Sequence, residues 1–141
     1  MFAIFVVNTL VVAVAVVIHY ECLIRLATLM PRLKLRHRFR LLIGVFGALL
    51  AHVAEVWLFA AVYYLMARTD GWGGFAGQST GSLLDCGYFS FTTFTTLGFG
   101  DIEPLGALRY LTGIEALTGL VLITWTASFL YIEMQRYWPS R

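Results

Sequence analysis

Charge is scarce in this chain. Ten basic and eight acidic residues make up 13% of its 141 residues, where soluble domains carry about 25%. Hydrophobic residues make up 60%, and the mean hydropathy is +0.79. That balance excludes a dissolved domain. The chain also shows no phosphate-cradling loop, no nucleophile beside a base and no basic patch for nucleic acid, so the vocabulary of catalysis does not apply. Cysteine is nearly absent. Cys22 and Cys86 lie far apart in stretches that read as helical, which speaks against a disulfide framework or a thiolate metal site. Each suits a small apolar packing role instead. No basic residue precedes the first apolar run, and the run continues past Ala13-Val14-Ala15, so a cleaved signal peptide is not expected. No polar stretch is long enough for a ligand-binding domain.

What is present is three long apolar stretches. Each can cross a hydrocarbon core of about 30 Å, which takes about 20 helical residues. The expected fold is an all-α membrane protein: three transmembrane helices plus a re-entrant helix and its following loop. Residues 1–30 read as an extra N-terminal span. Its valines would suit a strand in water, but a lone strand in lipid leaves its backbone unsatisfied. Pro31 ends it. Residues 31–40 form a loop in which Arg32, Lys34, Arg36, Arg38 and Arg40 supply half of all the basic residues. The positive-inside rule puts this loop in the cytoplasm, the N-terminus outside and the C-terminus inside. Arg136 and Arg141 near the C-terminus agree, with Trp138 as an interfacial anchor. The loop also suits anionic lipid headgroups, at about 1 kcal/mol per cation. Its cations alternate every second residue between spans, not every third within one, so it does not read as a voltage sensor.

Residues 41–66 read as the second span. Gly44 and Ala48 permit close helix contact. Trp57, Tyr63 and Tyr64 fall in its outer half, and the tyrosines suit the headgroup level. Residues 67–81, with five glycines, read as an exposed loop of no readable form. Residues 82–95 read as a helix capped by Ser82 and Asp85. It is too short to span and is therefore re-entrant. It runs into Thr95-Thr96-Leu97-Gly98-Phe99-Gly100-Asp101. Glycines on either side of Phe99 allow φ > 0 without a Cβ clash. Alternating left- and right-handed residues turn successive carbonyls toward one side. A column of such carbonyls, with the Thr96 hydroxyl, can replace the water around a monovalent cation. The negative end of the short helix's dipole would point the same way.

This string resembles the selectivity filter of the potassium channels, which reads Thr-Val-Gly-Tyr-Gly-Asp, or Thr-Ile-Gly-Phe-Gly-Asp in two-pore-domain relatives. The resemblance extends back through Tyr88-Phe89-Ser90-Phe91-Thr92-Thr93-Phe94 and forward into the last span. It implies a pore domain over residues 41–141, with an outer helix, a pore helix, a filter over 96–101 and an inner helix over 107–134. It implies potassium at Thr96, Leu97, Gly98, Phe99 and Gly100, with Tyr88, Phe89, Thr92, Thr95 and Asp101 in support. Tyr88 and Phe89 match an aromatic pair that braces the filter, where relatives often carry Trp. Thr92 stands where some relatives carry a Glu that pairs with the filter-end Asp, so Asp101 is expected to lack that partner. Residues 102–106, with Pro104 and Gly106, turn the chain. Gly119 sits close to the family's hinge glycine. Ile123, Ala127 and Tyr131 continue its helical face, either lining a cavity that gates by dewetting or packing against the second helix. One filter strand surrounds only one side of an ion, so four chains complete the cage. The aromatic at Phe99 favours potassium, because relatives that pass sodium equally often carry Asp there. The permeant K+ is the only ion expected, with no cofactor and no structural metal.

Four ionisable residues lie within the spans: His19, His52, Glu55 and Glu115. Each needs a partner or a cavity. His52 and Glu55, three apart, share one helix face. Counted at 1.5 Å per residue, His19 and His52 fall at similar levels, as do Glu55 and Glu115. Two readings stay open: a proton- or metal-sensitive cluster coupling the extra helix to the pore, or a hydrogen-bond network between helices with one carboxyl protonated. A membrane metalloenzyme would need a third ligand beside His52 and Glu55. The reading that covers most of the chain is a potassium-selective channel. Its rivals are a weakly selective cation channel and a non-conducting accessory subunit.

Overall fold

The structure, a computed structural model, describes residues 2–34 and 36–137. Trp138 and Arg141, named above as cytoplasmic markers, lie outside the described residues. Among the described residues, three helices are long and apolar enough to cross a membrane. Helix α1 (Phe2–Leu29) buries Asn8, Val11, Ala15, His19, Leu23 and Leu26. These recur every three or four residues, so they form one stripe. The stripe packs on the second and last helices, and residues such as Leu10 and Val17 are left exposed on the outside.

A 3₁₀ turn over Met30–Arg32 follows α1. Helix α2 spans His37–Met66 and begins four residues before the expected position 41. Arg36 is extended (φ −60°, ψ 146°), and nothing after it breaks a helix. Arg38 and Arg40 therefore lie on the first turn of α2 rather than in a loop. Glycines let α2 approach the end of α1. A Cβ on Gly44 would stand 3.0 Å from Met30 Sδ, and one on Gly47 would stand 2.5 Å from a Leu26 methyl. Tyr63, expected at headgroup level, is instead fully buried in the core, because its hydroxyl finds partners on the last helix.

The segments read as loop and turn contain a two-stranded antiparallel sheet. Strand β1 (Gly73–Gly77) pairs with β2 (Ile102–Gly106), with Gly73 opposite Gly106 and Gly77 opposite Ile102. A side chain at Gly73 or Gly77 would strike the Leu105 or Asp101 carbonyl oxygen at 2.1 and 2.2 Å, so glycine is what permits this pairing. Neither strand shows apolar alternation, which is why the pattern was invisible.

Helix α3 (Leu83–Phe94) lies between the strands. The Ser82 hydroxyl accepts from Asp85 N–H and the Asp85 carboxylate from Ser82 N–H, a complete capping box. The same carboxylate accepts from Thr80 N–H and Oγ1–H at 2.7 and 2.6 Å. These bonds hold the Asp85 pKa below its ordinary value. Helix α4 (Leu108–Tyr137) closes the fold. The main core lies where α2, α3 and α4 meet, around Phe59, Tyr63, Phe89, Phe94, Leu111 and Leu122.

Candidate functional site

The site begins where α3 stops. Thr95 caps the helix, and its N–H and Oγ1–H both donate to the Phe91 carbonyl at 3.2 and 2.7 Å. The backbone then alternates in hand. Thr96, Gly98 and Gly100 have φ of 59°, 54° and 78°, while Leu97 and Phe99 between them do not cross to positive φ. For a β-branched residue such as Thr96 that conformation is a genuine outlier, and strain of this kind costs about 1–3 kcal/mol. The strand is held by donation from Thr96 N–H to Thr93 O (2.9 Å) and from Gly98 N–H to Thr92 O (3.1 Å). Leu97 and Phe99 are exposed.

The outer end is tied on two sides. Asp101 O accepts from Gln78 N–H at 2.9 Å. Its carboxylate accepts from the Tyr88 hydroxyl at 2.8 Å, so Asp101 does have a partner. This bond raises the Tyr88 pKa above its usual value. The Tyr88 ring also lies parallel to Phe99, 6.4 Å between centroids and 3° between planes. Tyr88 alone of the aromatic pair touches the strand. Phe89 turns into the core, edge-on to Phe75 and Tyr63 at 5.0 and 5.1 Å. Thr92 is buried and donates its hydroxyl to Phe89 O. Consecutive residues leave a helix about 100° apart, so the two aromatics cannot brace the same surface.

Helix α4 passes directly beneath the end of α3. A Cβ on Gly119 would lie 2.1 Å from the Phe94 carbonyl oxygen, and α4 continues unbroken through this point. The glycine allows contact rather than marking a bend. Leu122 and Thr126 face inward, while Ile123, Ala127 and Tyr131 are exposed on the other side. An exposed peptide strand of alternating hand, a short helix aimed at it and a long helix behind make a recognisable unit. Residues 41–136, about two thirds of the chain, match a family model described as an ion channel. The chain belongs to this ion-channel family. No curated protein and no solved structure matches it. The channel is a multi-pass membrane protein that transports ions, and it is not an enzyme. Helix α1 lies outside the matched segment.

The four intramembrane ionisable residues fall into two separate sites rather than one. In the first, the Glu55 carboxylate binds both histidines: Oε1 lies 2.9 Å from His19 Nδ1 and Oε2 lies 2.9 Å from His52 Nδ1. The two Nε2 atoms converge on Thr126 Oγ1, at 3.4 Å from His19 and 3.0 Å from His52. In the second, Glu115 accepts from the Tyr63 hydroxyl at 2.6 Å and binds Ser90 Oγ, which also lies 2.9 Å from Val56 O. Counting levels along each helix put Glu55 with Glu115. Their helices turn them to different neighbours. From sequence, Thr126 and Ser90 have no assigned role, and Tyr63 is expected at the headgroup level rather than beside Glu115. A buried Ser in an apolar helix was the one available hint, and the other two partners depend on helix rotation alone.

Proposed function

We propose that this ion channel is potassium-selective and conducts passively as a homotetramer, with Thr96, Leu97, Gly98, Phe99 and Gly100 as its filter. The observation that carries the reading is the alternation of backbone hand, positive φ at Thr96, Gly98 and Gly100 and at neither residue between. That alternation aligns the intervening carbonyls on one side of the strand, as a dehydrated cation requires. One strand offers oxygens from one side, so four copies around an axis close the cage. The tie from Tyr88 to Asp101 stiffens the outer end and takes the place of the Glu found in some relatives. Ile123, Ala127 and Tyr131, exposed on one face of α4, line the cavity of the assembled channel. The basic residues between Arg32 and Arg40 face the cytoplasm and anionic lipid headgroups, which sets the N-terminus outside.

The test is the reversal potential of purified protein in a planar bilayer, with potassium on one side and sodium on the other. A potential close to the potassium equilibrium value is expected. Current that reverses near zero would mean a weakly selective pore and would remove the filter assignment. Tyr88→Phe, which deletes the tie to Asp101, is expected to move the reversal potential toward zero while current persists.

A further inference from the structure

The arrangement of His19, His52 and Glu55 is more specific than polar packing requires. A buried carboxylate takes a donor on each oxygen, and any hydroxyl or amide would serve. Here one carboxylate receives two imidazoles, one on each oxygen, both through Nδ1 and both at 2.9 Å. The three residues can each offer one ligand atom within 4.8 Å of the others. The rings are 5.3 Å apart between centroids and tilted by 31°. Two imidazoles and one carboxylate form a donor set suited to a zinc-class divalent ion, with a fourth position left for water.

The surroundings match that role. A metal-bound imidazole usually donates its other N–H to an acceptor, which sets its tautomer and orientation. Both Nε2 atoms already face Thr126 Oγ1, and a hydroxyl oxygen has two lone pairs to receive them. The proton balance closes. Without metal each Nδ1–H donates to Glu55; with metal each neutral imidazole would carry its proton on Nε2, toward Thr126, and turn the Nδ1 lone pair to the ion. Zinc-to-ligand bonds of about 2.0–2.1 Å place tetrahedral neighbours roughly 3.3 Å apart; the ligand atoms here lie within 4.8 Å of one another, so binding draws them together around one ion. The His52 side chain is 15% exposed on the subunit, while those of His19 and Glu55 are fully buried.

We propose that His19, His52 and Glu55 form a binding site for a divalent transition-metal ion, which clamps α1 to the pore unit. The site touches every helix of the subunit. His19 comes from α1, and His52 and Glu55 come from α2. Thr126 lies on α4, and the His52 ring packs 5.7 Å from that of Phe94 at the foot of the filter strand. Occupancy thus bears on both the inner helix and the base of the filter.

Cobalt(II) titration of the purified full-length channel in detergent tests this directly, and does so independently of conduction. The expected result is the intense visible absorption of a four-coordinate cobalt centre, saturating at one ion per chain, displaced by zinc and abolished by His19→Gln. Thermal unfolding before and after EDTA is the second readout. The metal-loaded wild type should melt higher, and the His19→Gln channel should melt at one temperature in both conditions. Thr126→Val, which keeps all three ligands and removes the shared acceptor, should weaken cobalt affinity about 10–100-fold. A spectrum unchanged from aqueous cobalt overturns the proposal, as does a four-coordinate signal that survives His19→Gln. Failure of potassium selectivity in the bilayer would leave these outcomes untouched.

Discussion

At Gly119 the structure shows a close backbone approach between two helices. The family resemblance suggests a hinge, but α4 is continuous there. What the position needs is the absence of a side chain, since a Cβ would meet the Phe94 carbonyl oxygen at 2.1 Å. Backbone cannot rotate aside as a flexible side-chain tip can. Gly119→Ala should therefore push α4 away from α3 and destabilise the channel by about 1–3 kcal/mol, the usual range for overpacking. Gly113, six residues earlier on the same helix, has nothing within 4 Å of its added Cβ, and Gly113→Ala should stay within about 0.5 kcal/mol of wild type. Thermal unfolding of the two variants separates the explanations. Equal effects would restore the idea of a helix that must bend.

At the scale of elements, α2, α3 and α4 are joined by more than apolar contact. Glu115 on α4 meets Tyr63 of α2 and Ser90 of α3. Ser90 also lies within hydrogen-bond distance of Val56 O, yet a hydroxyl has one proton to give. The count closes when Ser90 donates to Val56 O and a protonated Glu115 donates to Ser90, with Tyr63 donating to the second carboxyl oxygen. Glutamine supplies the same donor and acceptor. Glu115→Gln should then keep near-wild-type stability. Glu115→Leu leaves the Tyr63 hydroxyl only the longer contact to Thr112 Oγ1 at 3.3 Å and should cost about 1–3 kcal/mol. The melting temperatures of the two variants decide this. A large loss in Glu115→Gln would mean that the site holds a charged carboxylate. The small sheet is the other joint: β1 pairs with β2 just beyond Asp101, and Gln78 N–H reaches Asp101 O. The 67–81 segment is thereby fastened to the strand that follows α3.

For the whole molecule, the question is what α1 adds. The ion-channel match spans residues 41–136 and does not include it. Helix α1 nonetheless buries a full stripe against α2 and α4 and brings His19 to Glu55. It also buries Asn8, whose side-chain atoms have no hydrogen-bond partner among the described residues. A channel shortened to begin at Met30 should still assemble, with Glu55 left one donor short. It should melt below the full-length protein, and adding Glu55→Leu should recover part of the difference, because an apolar residue suits a buried site better than a half-satisfied carboxylate. Equal melting temperatures for the shortened and full-length chains would mean that α1 does not pack as described.

Much of this protein is determined by its sequence alone. Long apolar runs have few alternatives in lipid, because each backbone group must be satisfied within its own segment; three spans follow from composition and length. The capping box at Ser82 and Asp85 is a local interaction, readable over four residues, and so is the tolerance of Gly98 and Gly100 for positive φ. Tertiary structure decides what depends on how one element is rotated against another. Tyr63 is buried because α4 presents Glu115 to it. Tyr88 reaches Asp101 while Phe89, one residue on, turns to the core. The strands at Gly73–Gly77 and Ile102–Gly106 exist only as a pair, separated in the chain by α3 and residues 95–101. His19, Glu55, His52 and Thr126 meet although no spacing relates residues 19, 55 and 126. A helix's period reveals which residues share a face, but which neighbour that face meets is set by packing, through contacts between residues far apart in the chain.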